Sequence, residues 1–156
     1  MEIRNDDLSD ERIALFLDEH IEEMKSISPP ESKHALDIEN LKMPDITFWS
    51  IWMDEDLVGC GALKELDSSH AEIKSMRISS KHRGNQLASK LLDHILAVAI
   101  SRGYQRLSLE TGSMEFFEPA HRLYKKFGFN VCPPFSDYKK DPNSVFLTRK
   151  LNKNNP

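Results

Sequence analysis

Several things are scarce in this sequence, and each absence removes a class of function. Of 156 residues only two are cysteine, Cys60 and Cys132, far apart and outside any CxxC. That excludes a disulfide scaffold and fits reduced core thiols in a cytoplasmic protein. The six histidines form neither HExxH nor a Cys/His cluster, so no metal site is expected. No apolar run approaches the ~20 residues that span a bilayer. The opening Met1-Glu2-Ile3-Arg4-Asn5-Asp6-Asp7 is acidic and lacks a signal peptide's basic start and apolar stretch. Neither a membrane partner nor export is therefore expected. GxxxxGK[ST], the three-glycine dinucleotide fingerprint and GxSxG are all missing, which argues against P-loop, dinucleotide-binding and α/β-hydrolase chemistry. A formal net charge of -4 argues against a protein built to coat nucleic acid.

What remains is an ordinary soluble composition, 39% hydrophobic and 29% charged, of a length that suits one domain. That domain is expected over residues 1–152, with 153–156 as a C-terminal tail. Met1–Arg4 reads as a short strand. Ile13, Leu15, Phe16, Leu17, His20, Ile21 and Met24 fall at helical spacings, and Ser28-Pro29-Pro30 ends that helix. A second short helix is expected from Ser32 or His34 to Lys42. Residues 46–53, 57–66 and 70–79 are rich in β-branched, aromatic or alternating residues and are separated by Asp54-Glu55-Asp56 and Asp67-Ser68-Ser69. They form an antiparallel meander. A helix follows with Leu87, Leu91, Leu92, Ile95, Leu96, Val98 and Ala99 as its buried stripe, closed near Gly103. Then come a strand over 105–111, a helix over 118–127 closed by Gly128, and strands over 129–132 and 144–151. The fold class is α/β, an α+β layering around one mixed sheet.

The strongest chemical signal is the polar turn between the third meander strand and the long helix. A helix N-terminus presents unpaired N–H groups and partial positive charge, which suits phosphate oxygens. Gly84 and Ala88 are small where backbone must approach a ligand, and Lys81, His82 and Arg83 add cationic or titratable groups at its mouth.

The segment Arg83-Gly84-Asn85-Gln86-Leu87-Ala88 resembles the Arg/Gln-x-x-Gly-x-Gly/Ala motif of the GNAT family of N-acetyltransferases. Arg83 and Ala88 match its ends, and Gln86 stands where the pattern has its central glycine. Ala120-His121-Arg122-Leu123-Tyr124-Lys125-Lys126-Phe127-Gly128-Phe129 is similar to the family's second signature, Ala-x-x-Leu-Tyr-x-x-x-Gly-Phe. The order of elements agrees over nearly the whole chain.

The resemblance implies a GNAT acyl-CoA N-acyltransferase fold of about seven strands and about four helices. It implies acetyl-CoA as cosubstrate and direct attack of a primary amine, on a small molecule or a peptide, on the thioester. Met76, Arg77 and Ile78 would hold the pantetheine arm through their backbone, and Arg83, Gly84, Asn85, Gln86, Leu87, Ala88 and Ser89 the pyrophosphate. Tyr124 is the candidate acid for the leaving thiolate, and Glu72 the candidate base, with Glu110 and His34 as rivals. Glu31, His34, Glu110 and Thr111 are candidate acceptor contacts. The loop over 133–143, with Asp137, Tyr138 and Asp141, flanks the acceptor site in such proteins. Lys125 and Lys126 read as a solvated helix face. A homodimer is common in the family. The competing reading is a non-catalytic acyl-CoA-binding or regulatory domain, which would have no need of Tyr124.

Overall fold

The computed structural model describes residues 1–27, 38–84 and 86–151. The elements run β1 (Glu2–Asn5), α1 (Glu11–Ile27), α2 (Ile38–Leu41), β2 (Ile46–Met53), β3 (Asp56–Glu65), β4 (His70–Ile78), α3 (Leu87–Ser101), β5 (Arg106–Gly112), α4 (Glu118–Lys126), β6 (Asn130–Cys132) and β7 (Ser144–Lys150). One seven-stranded sheet has the order β1-β2-β3-β4-β5-β7-β6. The meander expected over 46–79 is present as β2, β3 and β4, paired antiparallel. Among the described residues the single parallel pair is β4 with β5, joined through α3. Gly128 closes α4 at φ 91, a left-handed conformation that costs glycine little.

The two faces of the sheet are covered by different helices. On one, Leu91, Leu92 and Ile95 of α3 and Tyr124 of α4 pack on Ala71, Ile73, Leu107 and Leu109. On the other, Ile13, Phe16 and Leu17 of α1 and Leu41 of α2 pack on Phe48, Cys60 and Ala62. Cover on both faces changes the alternating pattern read from residues 72–74. Glu72 is not a solvent-facing strand carboxylate; it is 3% exposed. Ser108, between Leu107 and Leu109, is buried for the same reason. The expected second helix is described only as Ile38–Leu41: Lys42 already lies in a turn, and the part of the span before Ile38 lies outside the described residues. Cys60 is a core thiol as expected, whereas Cys132 is only half-buried.

Leu91 lies fully buried where α3 crosses β3, against Gly61, where a side-chain carbon would sit 3.1 Å from its Cδ2. Leu91→Ala leaves a cavity at this crossing. It is expected to cost about 2–5 kcal/mol, read as a lower midpoint in urea denaturation.

Candidate active site

Strands β4 and β5 pair only from His70↔Arg106 to Ile73↔Leu109. Beyond that point β4 continues to Ile78 alongside β3, and β5 continues to Gly112 alongside β7. The two edges part, with no strand between them. A cavity of about 380 Å3 occupies the opening. Its walls are β4, the end of β5, the start of α3, the segment 116–124, and Tyr138 and Asn143 from the loop before β7.

A bulge in β4 decides which side chains face which way. Cys60 pairs with Arg77 and Ala62 with Lys74, so β4 spends one more residue than β3 over this stretch. The extra residue lies next to Ser75, whose φ is 54. Without it, Arg77 would point to the opposite face from Glu72 and Lys74. With it, all three share the face covered by α1. Met76 is turned to the α4 face, where the Tyr124 hydroxyl donates to its Sδ at 3.7 Å.

On this face the polar side chains form two groups. In the first, the Tyr138 hydroxyl donates to Glu72 Oε2 at 2.6 Å, and Lys74 Nζ lies 3.1 Å from the same oxygen and 2.8 Å from the Tyr138 oxygen. Burial, reinforced by the adjacent Glu72 charge, pushes the Tyr138 phenol well up, which keeps it a donor. In the second, Glu23 reaches both Arg77 Nη2 at 3.7 Å and Arg83 Nη2 at 3.5 Å. Arg77 also lies over the Phe16 ring at 5.3 Å. His20 sits beside this group with a buried, unpartnered Nδ1. Burial, and then the Arg77 charge, push it down to about 4, so it is neutral at pH 7.

Tyr124 is buried, with its ring edge-on to Phe129, and burial pushes its phenol up. The Cys60 thiol, pushed up to about 12 by burial, is not a nucleophile at neutral pH. Among the described residues no group of histidine, cysteine and carboxylate side chains could hold a metal ion. No described helix is long and apolar enough to cross a membrane.

The model of the acetyltransferase (GNAT) family matches residues 13–129. The chain is 56% identical to the N-acetyltransferase YsnE of Bacillus subtilis over 97% of this chain and 100% of the relative. It is 48% identical to the N-acetyltransferase YedL of Escherichia coli over 98% of this chain and 96% of the relative. A solved Klebsiella pneumoniae structure, proposed to be an acyl-CoA N-acyltransferase, superposes with TM-score 0.74 at 29% identity, covering 96% of this chain and 97% of that one.

The chain belongs to the GNAT family of acetyltransferases. It is an acyltransferase, and its seven-stranded mixed sheet with four helices is the GNAT acyl-CoA N-acyltransferase fold.

Against that family frame, the residues singled out from sequence distribute as follows. Glu72, Met76, Arg77, Ile78, Arg83, Ala88, Glu110, Thr111 and Tyr124 all line the cavity. Gly84 has φ 89 and Gln86 has φ 61, immediately before α3. The backbone at position 86 is thus left-handed, the conformation the family's central glycine would adopt most cheaply; Gln86 adopts it at about 1–2 kcal/mol. Leu87 turns its side chain into the core, and Ser89 does not line the cavity. Asn85, Glu31 and His34 lie outside the described residues. Lys125 and Lys126 are exposed, as expected of a solvated face.

Sequence reading missed His20, Glu23, Lys74 and the pair Phe116 and Phe117, and did not single out Tyr138 within its loop. A signal for the first two was present: Ile13, Phe16, Leu17, His20 and Glu23 recur at helical spacing, so polar side chains stand on the inward stripe of α1.

His20 gives a pH prediction. Its folded pKa lies below the ordinary 6.5, so the unfolded chain binds more protons between the two values and stability falls as pH drops from 6.5 to about 4. The loss is at most ~3 kcal/mol. His20→Gln is expected to flatten the stability–pH curve in that window, measured by urea denaturation at several pH values.

Proposed function

We propose that this chain is an acetyl-CoA-dependent N-acetyltransferase acting on a primary amine of a small molecule or peptide, within a single cytoplasmic domain over residues 1–152. The observation that carries the reading is the opening between β4 and β5, with Tyr124 at one wall and the Glu72–Tyr138–Lys74 group at the other.

The site fits the coenzyme. An extended pantetheine arm carries amides, and the β5-facing edge of β4 beyond Ile73 offers the backbone groups to pair with them, as an added strand would. The start of α3, with Gly84 and Gln86 in left-handed conformations and Ala88 in the cavity wall, offers N–H groups to a pyrophosphate. Arg83 stands half-exposed at that mouth.

Three tasks follow from aminolysis of a thioester. The amine must lose a proton, because an ordinary alkylammonium has a pKa near ~10 and no lone pair to attack with. Glu72 takes that proton through Tyr138, whose hydroxyl already donates to it; as Tyr138 hands its proton to Glu72 it accepts one from the amine side. The nitrogen then bonds to the carbonyl carbon, and a backbone N–H of β4 near Ile78 steadies the oxygen. When the carbon–sulfur bond breaks, Tyr124 donates its proton to the departing thiolate. A phenol kept protonated by burial is suited to that role.

A non-catalytic coenzyme-binding domain is the alternative, and Tyr124 separates the two. Tyr124→Phe is expected to lower kcat roughly tenfold or more while the KM for acetyl-CoA stays within about twofold, measured by release of free thiol. An unchanged kcat removes Tyr124 from the mechanism. A wild-type protein whose melting temperature does not rise with millimolar acetyl-CoA overturns the coenzyme reading itself.

A further inference from the structure

Arg77 is the buried cation in the cavity wall whose hydrogen bonds do not close. Its side chain is 9% exposed, yet among the described residues Nε and Nη1 have no acceptor. The carboxylate it approaches, Glu23, lies at 3.7 Å from Nη2 and is shared with Arg83. Lys74, the nearest comparable cation, has its charge met by Glu72 and its proton by Tyr138. The histidine beside Arg77 is neutral, so it adds no second positive charge there. Arg77 lines the cavity, and its two unmet donors are shut off from water, so a carboxylate-type anion that reaches the guanidinium meets donors no other group has claimed.

Arg77 shares Glu23 with Arg83 at the mouth of α3, and what distinguishes it is the face of β4 it stands on. The bulge at Ser75 sends Arg77 to the α1 face, with Glu72 and Lys74, and away from the face where Met76 meets Tyr124. Arg77 follows Met76 directly in the chain, so the two backbones are one peptide step apart. A group bound by Arg77 therefore lies on the face of β4 that carries Glu72 and Lys74, in the cavity that Tyr124 also lines.

We propose that the acetyl acceptor is an amino carboxylate, its amine directed to the Glu72–Tyr138 group and its carboxylate held by Arg77, which makes Arg77 the specificity-determining residue for the acceptor. This rests on the acetyltransferase reading above and narrows it.

Two measurements test it. The first compares L-amino acids with their amides as acceptors at saturating acetyl-CoA, by thiol release. Wild type is expected to prefer the acid of at least one pair by about tenfold in kcat/KM. Arg77→Gln is expected to abolish that preference with the acetyl-CoA KM unchanged, and Arg77→Lys to restore part of it. The second needs no turnover: acetate, succinate and phenylacetate, against their amides, are tested for a rise in the wild-type melting temperature that Arg77→Gln loses. Equal use of acids and amides, or no carboxylate-specific rise in melting temperature, overturns the proposal without needing the variant to fold. A large rise in acetyl-CoA KM in Arg77→Gln also overturns it, because the anion is then the coenzyme's. Carboxylate binding that depends on Arg77, with no amine acetylated, upholds the anion site and defeats the acetyltransferase reading alone.

Discussion

The site depends on how little of β4 and β5 is paired. Parallel strands in a covered sheet ordinarily stay together along their length, because an unpaired edge leaves backbone donors and acceptors unmet. Here β3 holds β4 to its end and β7 holds β5 to its end, so each strand keeps one complete ladder while the two part from each other. The paired end is fastened by Ala71, Ile73, Leu107 and Leu109 under α3. The open end is propped by Phe117, which packs closely on Gly112 at the tip of β5, and by Tyr124 reaching Met76. The opening is a built feature, and its free backbone is what an extended, amide-bearing ligand can use.

Burying charge beside that opening is costly, and the structure meets the cost by pairing. Glu72 is matched by Lys74 and Tyr138, which also bond to each other, so removing any one of the three would cost each of the other two one of its bonds. Glu23 is divided between two arginines, which leaves Arg77 only partly compensated. The bulge at Ser75 links the two arrangements. One extra residue puts Arg77 on the polar face and Met76 on the face of Tyr124, so two consecutive residues serve opposite faces of the sheet.

Features written in local backbone were legible in the sequence. The turn at 83–88 declares itself through a basic residue, a glycine and a helix start, and the Tyr124 helix through its spacing to Gly128. The meander was legible from β-branched runs divided by Asp/Ser turns. Even the mismatch at Gln86 has a local account, since the chain keeps the left-handed conformation without the glycine. Features that arise from docking were not legible. The sequence offered Glu72 as a candidate base but not its burial, because nothing local shows that the loop carrying Tyr138 covers the second face. The Glu23–Arg77 approach joins residues distant in sequence, and its geometry exists only after the bulge has turned Arg77 round.

The central claim is that the edge of β4 beyond Ile73 is a binding surface for the coenzyme's extended arm. Amide hydrogen exchange with and without acetyl-CoA tests this most directly. The account predicts that peptides covering residues 74–78 and the start of α3 exchange more slowly when acetyl-CoA is present, while the β2–β3 hairpin is unaffected. Saturating acetyl-CoA that leaves exchange over residues 74–78 unchanged would contradict it.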